Sequence, residues 1–261
     1  MSVGSHLPGD APGPSRIPVI SPKVFRRLAI ASLVAFCLIV LSGAAVRLTG
    51  SGLGCPDWPS CYHRQLTPQL SFHPLVEFSN RLVTVVLTII VAAVFLAALR
   101  RRPFRRDLTW LTVGLLAGVF AQAGIGALAV YTKLNPYVVL CHFLASMVLV
   151  AVAVVLVHRC NRDYAVGSAR PLVPRAAFLG GRAILVLLAV VLIAGTFTTG
   201  TGPHAGSSDG QLVARRIPIA LRDMAELHSS LALLLVGVTL GVALAIHAIS
   251  VPERVRRSIR I

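Results

Sequence analysis

The chain has 261 residues, 56% hydrophobic and 13% charged, with a mean hydropathy of +0.79. A soluble domain carries roughly 25% charged residues and leaves roughly a quarter of its unfolded surface wet even when large, so a soluble globular enzyme and a disordered chain are both excluded. A polytopic membrane protein remains, and the placement of the +16 formal charge reads as membrane topology, with no nucleic-acid partner.

In chain order, residues 1–27 read as a flexible cytoplasmic tail, because the first 22 are rich in proline, glycine and serine. Six apolar stretches then approach or exceed the roughly 20 residues that cross a bilayer as helix. They are 28–46, 82–99, 108–130, 136–157, a shorter 183–199, and 231–249 with a more polar lead-in from 224; none contains Lys, Arg, Asp or Glu. Such continuous runs predict helices, not the alternating pattern of a membrane barrel. The first span follows basic residues as a signal peptide would, but its length and the further spans make it an uncleaved anchor. The predicted fold is an all-α helical bundle with six transmembrane helices.

Eighteen of the 25 basic residues precede the first span, follow the last, or lie between spans two and three or four and five. Only Arg47, Arg64, Arg81, Lys133, Arg215, Arg216 and Arg222 fall on the other side. The positive-inside rule therefore places both termini in the cytoplasm, and the excess charge attracts anionic lipid.

The unusual residues gather on the outer side. After the first span comes VRLTGSGLGCPDWPSC, with Cys55 and Cys61 six apart across two prolines. Extracytoplasmic space permits a disulfide between them; two free thiols are the alternative, and a metal site lacks a second ligand pair. Cys37, Cys141 and Cys160 read as small apolar fillers. The approach to the second span, HPLVEFSNR, puts Glu77, Asn80 and Arg81 on one helical face. Such groups at the hydrocarbon edge either form a polar pocket wall or are a helix-start carboxylate beside a snorkelling arginine.

The fourth span opens NPYVVLCHF. His142 follows Pro136 by six residues, as Asn80 follows Pro74, so both lie roughly 9 Å below their helix starts. Alone, His142 reads as a satisfied structural histidine; level with a polar face, it is a candidate haem-iron ligand. The sixth span opens with ELH, placing His228 near its outer end. Spans one and two and spans five and six share their Thr/Gly-rich outer ends and read as copies of one unit, with His228 in the place of Asn80. Gly114, Gly118, Gly124 and Gly126 read as close-packing positions. His204 reads as a loop residue, and His158 and His247 as interfacial. No soluble nucleotide-binding or zinc-protease motif is present.

Together VRLTGSGLGCPDWPSC, EFSNR, NPYVVLCHF, TGTGPHAG and ELH resemble haem A synthase of the bacterial plasma membrane. The Asn-containing second span is similar to the form in high-GC Gram-positive bacteria, and the likeness covers residues 29–247. The resemblance implies oxidation of the C8 methyl of haem o to a formyl group, giving haem a for terminal oxidases. It implies two four-helix halves, the first holding the substrate haem (28–158 here) and the second a haem b cofactor (183–249 here), joined by a basic loop (159–182) and followed by a basic tail (250–261). By motif, Glu77 matches the carboxylate needed for catalysis, His142 the substrate-haem ligand and His228 a haem b ligand. Cys55 and Cys61 match the outer-loop cysteine pair. Asn80, Arg81 and Arg47 fall in the substrate-haem pocket, with Arg215 and Arg216 near enough for propionates. The implied partners are haem o, a haem o synthase and the cytochrome oxidase assembly machinery, and a homo-oligomer is compatible with this reading.

Two departures stand out. Asn80 replaces a histidine found in many relatives, and the family has eight helices where six are read here. The expectation is therefore an incomplete haem b site, with weak or absent haem b and an open side on the last two helices. A non-catalytic haem-binding or oxidase-assembly protein is the competing reading. A di-haem quinol-oxidising cytochrome would show more intramembrane histidine pairs, and a transporter would show a polar midplane.

Overall fold

The computed structural model describes residues 19–62, 65–160, 174–203, 206–207 and 214–248. His204, Arg64, Arg162, Arg170, the tail up to residue 18 and the basic tail from 250 lie outside the described residues. The described residues form six helices: α1 (Pro22–Leu48), α2 (Phe72–Arg100), α3 (Arg106–Tyr131), α4 (Pro136–Cys160), α5 (Arg175–Thr201) and α6 (Leu221–Ala248). No named strand occurs among them, only isolated bridges. All six helices are long and apolar enough to cross a membrane, so the chain is an all-α integral membrane protein.

Each helix extends beyond its apolar run. α1 starts at Pro22, so residues 22–27 are helical and not part of a tail. Ser21 caps it by accepting the Val24 N–H at 3.4 Å, and Pro22 sits where no intrahelical N–H is needed. α2 starts ten residues before its apolar run, which makes Glu77, Asn80 and Arg81 helical. α5 starts at Arg175, inside the stretch read as a loop. The reason is general: flanking arginines and lysines favour helix well enough to continue it, but they do not register in an apolar count.

α1 packs on α2 and α4, α2 on α3, and α3 on α4, closing a four-helix ring. α5 and α6 pair with each other, and α5 leans on α4. The α1–α2, α3–α4 and α5–α6 connections share one end, here called the disulfide end. The chain before α1 and the α2–α3 connection meet at the other, the arginine end. There Ile20 donates its N–H to Arg100 O at 3.0 Å and accepts from Arg102 N at 3.1 Å, and Asp107 pairs with Arg105 at 2.7 Å.

Packing within the ring is uneven. Its buried core, including Phe25, Phe36, Leu87, Val91, Leu115, Val119 and Leu156, lies toward the arginine end and midway. Toward the disulfide end, α1 has no buried residue after Phe36, α2 none between Glu77 and Leu87, α3 none between Val119 and Ala127, and α4 none before Ala153. Helix interiors this sparsely filled contrast with the close packing of ordinary cores. The four helices thus pack less fully at the disulfide end, and the space between them there is here called the hollow.

Above the hollow the loops are packed again. Ser51, Cys55, Cys61, Leu134 and Ala214 are buried. Gly52 donates its N–H to Gly206 O at 2.7 Å, and a Cβ at Gly52 would fall 2.9 Å from that oxygen, so only glycine allows the approach.

The four glycines of α3 divide. A Cβ on Gly118 would meet Leu149, and one on Gly126 would meet His142, so these two face α4 as close-packing positions. Gly114 and Gly124 have nothing within 4 Å and do not serve helix packing.

Candidate functional site

The roof of the hollow is built on α2. Cys55 and Cys61 form a disulfide with their Cα atoms 4.3 Å apart. Glu77, 6% exposed, points into this loop: Oε2 accepts the Cys55 N–H at 2.7 Å, and Oε1 accepts Arg81 Nη2 at 2.6 Å. Arg81 then donates to four loop carbonyls, those of Cys55 at 3.1 Å, Asp57 at 3.0 Å, Pro59 at 3.4 Å and Ser60 at 2.9 Å. The i, i+4 spacing that puts Glu77 and Arg81 on one face thereby anchors the whole disulfide loop. Hydrogen bonds to a charged group contribute about 1.5–3 kcal/mol each, so this clamp is a substantial local constraint. Gly54 makes the contact close, because a Cβ there would sit 2.5 Å from His73 O. Tyr131, at the end of α3, holds the loop tip by donating to Trp58 O at 2.9 Å.

Asn80 turns the other way. Its Oδ1 accepts the Ser42 hydroxyl of α1 at 2.6 Å, so it ties α1 to α2 beside the hollow. His142 lies on α4 facing α3, its Cε1 3.6 Å from where a Cβ on Gly126 would be. Gln122 of α3 donates to the His142 carbonyl at 3.0 Å and to Ser146 Oγ at 2.5 Å. His142 Nδ1 and Gln122 Oε1 are buried and without a hydrogen-bond partner. An unmet buried polar atom costs about 1–3 kcal/mol, so each is a place for a ligand. No hydrogen bond among the described residues joins His142 to Glu77 or Asn80.

Arg47, at the end of α1, donates to Thr199 O of α5 at 2.9 Å, bridging the ring and the α5–α6 pair. Arg215 and Arg216 are exposed. His228 sits within the α5–α6 pair, its Nδ1 3.1 Å from Val191 O. A carbonyl can only accept, so Nδ1 carries the proton and Nε2 is left free. Gly195 makes room for the ring: a Cβ there would fall 2.9 Å from His228 Cε1.

These features bear on whether the two histidines could hold a haem iron. A ligating imidazole needs an available nitrogen, commonly with the other nitrogen fixed by a backbone carbonyl. His228 has that arrangement, and His142 offers a buried nitrogen that nothing else uses. Ser42, Gln122, Ser146 and Gly195 complete the surroundings and were not singled out from sequence. Gln122 carried a signal, as the one amide in the apolar run of α3; Ser42 and Gly195 carried none among similar small residues.

Beside His142, the α3–α4 seam holds a cleft of about 210 Å³, lined mainly by Gly118, Ala121, Gln122, Ala145, Val148 and Leu149.

Fold and site together define a polytopic helical membrane protein with a disulfide-bonded loop clamped over one end of a four-helix ring and a partly buried histidine on each of α4 and α6. The chain belongs to the COX15-CtaA family, described as cytochrome oxidase assembly protein, whose pattern matches residues 26–251. It is 40% identical over 109 residues to "Heme A synthase" of Geobacillus kaustophilus (strain HTA426), covering 40% of this chain and 33% of that protein. It is 36% identical over 137 residues to that of Lysinibacillus sphaericus (strain C3-41), covering 51% and 44%. With that of Staphylococcus saprophyticus it shares 30% over 150 residues, covering 56% and 50%. The matched stretches span a third to a half of the length of these relatives.

Proposed function

We propose that the chain carries the substrate half of a haem A synthase, oxidising the C8 methyl of haem o to a formyl group. The observation that carries this reading is His142 Nδ1, a buried imidazole nitrogen without a partner beside an unfilled bundle interior. His142 is the ligand to the substrate iron, and Asn80, held by Ser42, lines the facing wall. Arg47, beside the roof, offers charge to the anionic propionates.

Two successive hydroxylations of the methyl, each adding one oxygen atom and passing two electrons from the carbon to an external oxidant, give a hydrated aldehyde, which loses water. Glu77 takes a proton from this sequence or orients a water, while its contacts to Cys55 and Arg81 keep the roof closed against bulk solvent. His228 would be the residue of this chain that holds haem b, which would supply one-electron redox chemistry when bound. Val191 O fixes the ring and Gly195 leaves it room. The arginine end faces the cytoplasm and the disulfide end faces outward across the plasma membrane. A haem o synthase supplies the substrate, and cytochrome oxidase assembly consumes the product.

A second reading has its own support. Both Glu77 oxygens are engaged, one by the loop N–H of Cys55 and one by Arg81, which suits a haem-binding assembly protein that does no oxidation. Pigment analysis separates the two. Membranes of a haem-o-accumulating host expressing this chain contain haem a under the first reading. Bound haem o with no haem a favours the second.

A further inference from the structure

We propose that Gln122 of α3 is a positioning residue for His142, holding the turn of α4 that presents the imidazole to the substrate iron. The inference rests on reading His142 as the ligand of the substrate haem, and it adds the group that fixes that ligand from the neighbouring helix.

The hydrogen bonds fix which atom faces which. Gln122 Nε2 lies 3.0 Å from the His142 carbonyl oxygen and 2.5 Å from Ser146 Oγ. Ser146 Oγ lies 2.9 Å from the same carbonyl oxygen. A carbonyl can only accept, so Gln122 and Ser146 both donate to His142 O. The Ser146 oxygen, its own proton used, accepts the second Gln122 N–H. The carbonyl of the ligand-bearing residue is thus held by two side chains, one of them on α3. The neighbouring positions allow the reach. Gly118, Gln122 and Gly126 are spaced by four and share one face of α3. A Cβ at Gly118 would fall 2.3 Å from Leu149 Cδ2, and one at Gly126 would fall 3.6 Å from His142 Cε1. Glycine on either side brings α3 close to α4, so one amide side chain spans from helix to helix. Gln122 holds the backbone of His142, and Gly126, one turn on, borders its ring.

Packing alone does not account for a glutamine here. Polar side chains within membrane helices are costly and mark function. Gln122 is the one amide in the apolar run of α3, and its own Oε1 stays buried without a partner. Leucine or methionine would fill the seam without that penalty, but neither would hold the His142 carbonyl. The hold matters because the imidazole hangs from the turn to which that carbonyl belongs. An axial ligand bonds iron only over a narrow range of ring orientations, and a ring on a loose turn loses affinity to the ordering it must undergo. α3 therefore serves the site through His142.

Gln122→Met tests this, because it removes both donors and keeps an unbranched side chain in the seam. The full chain and its variants in lipid nanodiscs are titrated with haem o and followed by Soret absorbance. The iron–imidazole stretching band of the ferrous complex is read by resonance Raman spectroscopy. Gln122→Met is expected to weaken haem o binding about fivefold, as the loss of one net hydrogen bond implies, and to shift or broaden that band. Gly126→Val, which crowds the ring itself, is expected to move the same band. Gly126→Ala, whose methyl carbon would sit at an ordinary contact distance of 3.6 Å, is expected to leave it in place. A His142→Gly background supplied with free imidazole separates positioning from packing. The ligand there is untethered, so Gln122→Met is expected to change nothing further. An unchanged band and affinity in Gln122→Met, or a loss of affinity that persists in the imidazole-supplied background, overturns the positioning role and leaves His142 as the ligand. If His142→Ala leaves haem o binding intact, the reading of His142 fails, and this inference fails with it.

Discussion

Glu77 Oε2 accepts the backbone N–H of Cys55 at 2.7 Å, so a carboxylate in the second turn of α2 holds one end of the disulfide loop. The same carboxylate meets Arg81 at 2.6 Å. The group assigned to proton handling is therefore also the group that fixes the roof. A loop held this way keeps the carboxylate in place at the disulfide end.

Replacing Glu77 separates these two tasks. Glu77→Gln keeps an acceptor for Cys55 N–H but cannot take a proton, whereas Glu77→Ala loses both. Both variants are expected to lower haem a formation at least tenfold with bound haem retained, and only Glu77→Ala is expected to increase protease cleavage of the 55–61 loop. Haem a at wild-type levels in Glu77→Gln would remove the proton-handling role.

Arg81 is the hub of the loop, with four carbonyls and one carboxylate on its two terminal nitrogens. Arg81→Ala leaves the buried Glu77 charge without its partner. Breaking a fully buried pair costs about 3–5 kcal/mol; Arg81 is partly exposed, so about 2–3 kcal/mol is expected. Unfolding in detergent measures it, and an unchanged midpoint would show that the clamp adds nothing.

Much of the architecture could be read from residue order, because lipid permits few alternatives to helix for long apolar runs. The Glu77–Arg81 face was legible for the same reason: i, i+4 spacing is a local property. What local spacing could not show was direction. Glu77 and Arg81 point up into the loop, whereas Asn80, on the same stretch, turns to Ser42 on α1. That choice depends on the neighbouring helix. The helix starts at Pro22 and Arg175 were also hidden, since charged helical turns look like loop to an apolar count. Gly114 and Gly124 were indistinguishable from Gly118 and Gly126 until α4 was placed beside them.

The disulfide closes a short loop. With about seven residues enclosed, chain-entropy arguments give about 2 kcal/mol of stabilisation. Cys55→Ser with Cys61→Ser is expected to lower stability by about that amount. Thiol labelling of the denatured wild type should rise from three to five sites on reduction, because Cys37, Cys141 and Cys160 are free. Five labels without reductant would contradict the bond.

Gly195 and Gly114 form a matched pair of tests. An alanine methyl at 195 meets the His228 ring at 2.9 Å, whereas at 114 it meets nothing within 4 Å. Gly195→Ala is expected to displace the ring from Val191 O and to reduce haem retained in the α5–α6 pair, while Gly114→Ala retains wild-type pigment. Equal pigment in the two variants would detach His228 from haem binding.

The account turns on His142. The decisive measurement is the visible absorption of purified His142→Ala, alongside its haem a yield in a haem-o-accumulating host. The account predicts loss of the substrate-haem Soret band and a fall in haem a of at least tenfold, with the protein still folded and inserted. An unchanged spectrum and an unchanged yield would contradict it.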